Sequence, residues 1–182
     1  MSKTRSKRFK KQILEGQMLA IDPSSGATGH AGWALFEGGK LSESGILDIR
    51  GSEFNHRLKA VLKDALEFDP VDVLVIEKIG GYRAQPVLIQ ACGVFIAGID
   101  SPNCIQMNVQ TWQSIARRLG EWKKTTKKGV QGDSNGREGD DVDAEFIGWS
   151  AIALALGYDS KAKEEDKEVY LTDVRERMRW QD

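Results

Sequence analysis

QMLAIDPSSGATGHAGWALFEGGKLSESGILDI, residues 17–49, reads as three strands separated only by turn residues. QMLAIDP is apolar from Met18 to Ile21 and stops at Asp22-Pro23, the pattern of a strand buried in a sheet. The two runs that follow, AGWALFE and KLSESGILDI, flank Gly38-Gly39, and a Gly-Gly pair between strand-like runs marks a hairpin. These residues predict a three-strand antiparallel meander, and the rest of the chain must extend or cover it.

Working outward, Phe54, Leu58, Val61, Leu62, Ala65 and Leu66 recur at helical spacing until Asp69-Pro70 ends the pattern. VDVLVIE, residues 71–77, is short and nearly all apolar, as a strand covered on both faces would be, and it ends at Glu77. A Gly80-Gly81 loop leads into a helical stretch, RAQPVLIQACGVFIAGI, then a strand CIQMN and a helix from about Val109 to Leu119. Residues 120–139 are polar and rich in Gly and Lys, which predicts a mobile loop. Then comes GDDVDAEFIGWSAIALALG, an almost wholly apolar helix headed by three aspartates. The class is α/β: a mixed five-stranded sheet, the antiparallel meander plus two parallel strands, flanked by helices.

A chain of 182 residues, 40% hydrophobic and 29% charged, suits one globular domain with a sizeable core. We divide it into a flexible basic arm (residues 1–16), the domain proper (17–158) and a charged tail (159–182), helical or disordered. No apolar run approaches the ~20 residues that span a bilayer, and the basic start lacks the apolar centre of a signal peptide, so the expected location is the cytoplasm. Cys92 and Cys104 have neither metal-ligand spacing nor a secretory context, and are expected to be buried, reduced thiols. The net charge of −1 conceals two basic clusters, one in the arm and one from Arg117 to Lys128.

The strand ends place the acids. Asp22 closes the first strand and Glu77 the fourth, so their carboxylates can lie side by side at the carboxyl edge of neighbouring strands. Asp140 and Asp143 share one helix face, whereas Asp141 points about 100° away. Converging carboxylates repel unless a cation sits among them, and hard oxygen ligands suit magnesium, with manganese as a substitute. Two such ions about 4 Å apart support in-line phosphodiester hydrolysis.

LAIDPSSGATGHAGWAL, VLVIEKI, LIQACGVFIAGI and DDVDAEFIGWSAIALA follow the order and approximate spacing of motifs in the RuvC family of Holliday junction resolvases, which the chain resembles from about Met18 to Tyr158. The resemblance implies an RNase H-like fold, a homodimer, and magnesium-dependent paired nicking of four-way branched DNA. It carries the catalytic and metal-binding acids onto Asp22, Glu77, Asp140 and Asp143, through a final Asp-x-x-Asp-Ala motif; Asp141 has no counterpart. A DNA-binding set is expected from the loop after Glu77, by the resemblance, and from the basic cluster that leads to the Asp-headed helix, by its position. Tyr82, slightly displaced, stands where bacterial members place an aromatic that stacks at the junction centre, with Lys78 and Arg83 beside it. Arg117, Arg118, Lys123, Lys124, Lys127 and Lys128 could reach flanking phosphates. The altered loop after Glu77 and the different length between Trp112 and Asp140 fit a divergent bacteriophage or mobile-element member, acting in a bacterial or phage-infected host cytoplasm.

Each reading has a plainer rival. Asp140 and Asp143 could merely cap the helix, worth about 1 kcal/mol. Asp22-Pro23 could open a turn, and glycine-rich first loops also hold phosphate in sugar kinases and actin-like ATPases. The lysines could be a solvated face, Trp112 and Trp122 packing residues, and His30 and His56 incidental. Related enzymes act on flaps, forks or RNA, and a catalytically idle nucleic-acid-binding module is the alternative outside enzymes. Glu77 is hardest to explain structurally, because a buried carboxylate without a cation costs several kcal/mol.

Overall fold

The computed structural model describes residues 3–23, 30–48, 54–79, 86–120, 122–124, 131–133 and 139–179, with the side chains of residues 3–6, 48, 54–57, 86–87, 122–124, 131–133 and 140 outside that description. A five-stranded sheet is formed by β1 (Gln17–Asp22), β2 (His30–Glu37), β3 (Lys40–Asp48), β4 (Val73–Lys78) and β5 (Cys104–Asn108), in the order β3-β2-β1-β4-β5. β1, β2 and β3 pair antiparallel, while β4 and β5 add parallel strands beyond β1. The meander and the two parallel strands are as the sequence predicts. Gly38 and Gly39 turn the β2–β3 hairpin at φ of 57° and 72°, left-handed values that favour glycine.

Strand alternation splits the core in two. Met18 and Ala20 of β1, Ala34 and Phe36 of β2, and Val73 and Val75 of β4 face one side. That side is covered by α1 (Lys3–Glu15), α4 (Val109–Leu119), α5 (Asp140–Leu156) and α6 (Glu164–Arg179). Leu19, Ile21, Leu74 and Ile76 face the other, where α2 (Phe54–Glu67) and α3 (Pro86–Gly98) pack.

α5 explains its own composition. It crosses the meander with β1 and β2 beneath it and α1, α4 and α6 around it, so Val142, Phe146, Ile147, Trp149, Ile152 and Ala153 are all buried. A helix enclosed over most of its surface, with Leu154 its one exposed position among the described residues, has little polar face to show. Trp149 meets the Phe36 ring edge to face, with centroids 4.9 Å apart, and Gly148 gives the same ring room, since a Cβ there would overlap it.

Three expectations need correcting, and one left open is decided. The basic arm is helical, and Ile13 of α1 is buried in the core with Phe9 and Leu14 against it, so its last turns are docked rather than free. The charged tail, open between helix and disorder in the sequence, is the helix α6, held by buried Leu171 and Val174 and by Arg175, whose guanidinium donates to the carbonyls of Arg118 and Leu119 at the end of α4. The supposed loop of residues 120–139 contains a two-stranded ribbon, β6 (Trp122–Lys124) with β7 (Gln131–Asp133). Cys104 is exposed on edge strand β5, while Cys92 is buried as expected; both thiols are free. In α3, Gly98 allows close packing on α2, as a Cβ there would stand 2.9 Å from that of Ala65, whereas Gly93 faces open space.

Gly148→Ala is expected to destabilise the protein by roughly 1–3 kcal/mol through overpacking against Phe36, even though alanine is the better helix former by about 1 kcal/mol. A urea-unfolding midpoint at or above wild type would show that the ring yields without cost.

Candidate active site

β1 and β4 run parallel with Ile21 opposite Ile76, so the next residues, Asp22 at the end of β1 and Glu77 one residue before the end of β4, stand side by side at a strand spacing of about 4.8 Å. Alternation sends both side chains to the face covered by α4 and α5, since Met18 and Ala20, like Val73 and Val75, already point there. Asp143, in the first turn of α5, is 2% exposed, and Asp22 is 8% exposed. The three aspartates at the head of the apolar helix thus sit where it enters the core: Asp143 inside, Asp141 partly exposed, and Asp140 at its first residue. The α5 N-terminus brings a partial positive charge that eases the burial of Asp143.

Glu77 is the most informative of these groups. Burial pushes its carboxyl above the ordinary range, and a hydrogen bond from Trp112 partly offsets that. The indole Nε1 of Trp112 donates to Glu77 Oε2 at 2.8 Å, a bond to a charged acceptor worth about 1.5–3 kcal/mol. Cys92, on the opposite side of β4, reports the same field. Its thiol is pushed up to about 12, first by burial and then by the negative charges of Glu77 and Asp22. It is therefore a protonated thiol at neutral pH in the metal-free protein, oriented toward the Glu77 carbonyl with Sγ 4.0 Å from that oxygen.

The donors gathered at this edge are carboxylate oxygens, which suit a hard divalent cation. Asp22, Glu77 and Asp143 are all described, yet among the described residues no three His, Cys, Asp or Glu side chains form a group that could hold a metal ion; the structure sets Asp22 and Glu77 at one sheet edge, and the side chain of Asp140, the fourth expected acid, lies outside the description.

The basic residues are scattered in role. Lys78 is exposed just past Glu77, and Arg117 is exposed on α4. Arg118, also in the expected DNA-binding set, pairs with Glu164 of α6, itself held by Lys167. Lys123 and Lys124 lie on β6 with side chains outside the description, and Tyr82, Arg83, Lys127 and Lys128 lie outside the described residues. Two residues were missed as site neighbours. Trp112 gave no signal beyond an apolar helix position. His30 lies on the same sheet face as Asp22, two residues along β2 from Gly32, the partner of Asp22, and its Nδ1 is buried with no hydrogen-bond partner among the described residues.

With this geometry established, comparison with solved structures finds T. thermophilus RuvC in complex with Holliday junction substrate, at a TM-score of 0.50 and 17% identity, over 78% of this chain and 96% of that one. The fold is RuvC-like, within the RNase H-like class. No family model matches the sequence, and no curated protein does. At this identity the likeness speaks for the fold alone. Among the described residues no helix is long and apolar enough to cross a membrane.

Because Glu77 titrates above the usual carboxylate range, the folded state binds its proton more tightly than the unfolded chain does. Its charge opposes folding at neutral pH, and stability is regained as pH falls through the raised value. Without divalent ions, Glu77→Gln is therefore expected to melt above wild type at pH 7, with the gap narrowing in acid; a lower melting temperature throughout would mean the charge is already compensated.

Proposed function

We propose that this protein is a structure-selective DNA endonuclease that resolves four-way junctions by paired, magnesium-dependent phosphodiester hydrolysis. The observation that carries this reading is the pair Asp22 and Glu77, at the ends of adjacent parallel strands on the sheet face that α5 covers with Asp143 in its first turn. A capped helix alone would not account for Glu77, a half-buried carboxylate that accepts a hydrogen bond from a neutral donor and has no ion-pair partner among the described residues.

In this reading Asp22, Glu77, Asp140 and Asp143 would hold one or two magnesium ions, which when bound supply an activated water and charge neutralisation at the scissile phosphate. Protein groups do the rest. The strand ends fix the direction from which the phosphate is approached, and the buried face behind them excludes bulk water. Lys78 and Arg117 would contact the flanking backbone, with Arg83, Lys123, Lys124, Lys127 and Lys128 extending that track and Tyr82 stacking on a base. The fold shared with a RuvC solved on a Holliday junction supports branched DNA as the substrate. Paired cutting calls for two sites, which a homodimer would supply. Leu66 of α2 is 65% exposed and Ile89 of α3 is 49% exposed, both apolar groups that a second copy would cover.

Asp22→Asn and Asp143→Asn are expected to bind a synthetic four-way junction but to cut it at least a hundredfold more slowly in magnesium, whereas EDTA should abolish cutting by wild type. A flap, a plain duplex and an RNA–DNA hybrid serve as competitors. Equal cutting of all four would defeat junction selectivity, and wild-type rates in both variants would remove the site. Light scattering at micromolar concentration should give a dimer mass, reduced to that of the monomer by Leu66→Glu; a monomeric wild type would exclude paired cutting by this route.

A further inference from the structure

We propose that Trp112 is a positioning residue that holds the Glu77 carboxylate in place for divalent-ion binding and ties it to the helix carrying Asp143. This rests on the carboxylate site described above, though not on which nucleic acid that site cuts. Trp112 lies in the first turn of α4 with its ring 1% exposed, on the buried stripe formed with Ile115, Ala116 and Leu119. That stripe fixes the ring, and the fixed ring aims its single donor at Glu77 Oε2, 2.8 Å away and 35 residues back in the chain. The backbone carbonyl of the same tryptophan accepts a hydrogen bond from Ser150 Oγ at 3.3 Å, and Ser150 is fully buried on α5. One residue therefore links the strand that presents Glu77 to the helix that presents Asp143.

The chemistry of the donor matters as much as its position. An indole N–H gives one hydrogen bond and carries no charge. It can orient a buried carboxylate and lower the cost of its desolvation without neutralising it. A lysine or arginine at the same point would cancel the negative charge and compete with a bound cation. A neutral, rigid donor is the arrangement that keeps the charge available and restricts where the second oxygen can point. Partners of this kind, standing behind a metal ligand, typically alter metal affinity or activity by 10- to 100-fold when removed. The plainer account is that a buried indole N–H simply needed an acceptor. The two accounts differ in what the ion feels.

Trp112→Phe keeps an aromatic ring in the core and deletes the donor. Manganese binding to the DNA-free protein, followed by the electron paramagnetic resonance of the free ion, is expected to weaken about tenfold in Trp112→Phe. Trp149→Phe, equally buried but remote from Glu77, should lose stability with manganese affinity unchanged. Affinity unchanged in Trp112→Phe, or weakened equally in both variants, would overturn the proposal. Should Trp112→Phe fail to fold, wild-type protein still gives an answer through its tryptophan indole N–H resonances. One of them should move both in Glu77→Gln and on titration with magnesium, and the absence of any such resonance would overturn the proposal. Manganese affinity that depends on Trp112 in a protein that cuts no DNA would uphold the positioning role and remove the nuclease. Junction cleavage with affinity indifferent to Trp112 would do the reverse.

Discussion

The parallel pairing of β1 with β4, Ile21 opposite Ile76, is the constraint on which the rest of the molecule depends. Each strand is apolar until its last residues, and the pairing makes their acids arrive together, on one face, at one edge. Two carboxylates side by side in a partly dry environment are unfavourable by themselves. The fold tolerates this because the remainder of both strands is buried in two separate cores, so slipping one strand by a residue would turn every apolar side chain to the wrong face. The packing of eight or so apolar residues thus holds an electrostatic arrangement that those two acids would not choose.

α5 is the second half of that arrangement. Enclosed by the sheet and by α1, α4 and α6, it has little freedom to shift along its axis, and its first turn is fixed relative to the strand ends. The same enclosure accounts for Gly148, which would be a poor helix residue anywhere else, and for the edge-to-face contact of Trp149 with Phe36. Further out, α6 closes the assembly. Arg175 takes up carbonyls at the end of α4, and Arg118 turns to Glu164, so basic residues that look like a DNA-binding patch in the sequence are divided between a helix clamp and solvent. Charge clustering along a chain does not say which members a neighbouring helix will claim.

What the sequence alone determined follows from local rules. The Gly38-Gly39 hairpin, the two-sided burial of residues 73–76, the helix of residues 109–119 and the position of Asp22 and Glu77 at strand ends all come from patterns that span fewer than about twenty residues. The resemblance of the four motifs anticipated the mixed sheet, and the comparison with T. thermophilus RuvC bears out that fold. The amino-terminal helix was misread and the carboxy-terminal one left undecided because both are rich in charge and owe their order to a few apolar residues, Ile13 at one end and Leu171 and Val174 at the other. Such sparse stripes are stabilised by docking and not by propensity.

Only the tertiary structure decided what surrounds Glu77. A tryptophan 35 residues away donates to it, a protonated cysteine lies behind it, and the charge stays uncompensated by any salt bridge to a described residue. No periodicity connects Trp112 to Glu77, because hydrogen bonds between elements depend on how helices settle on a sheet. Residue types and spacing told where the acids end their strands; the packing of α4 and α5 determined which of their oxygens are held, and by what.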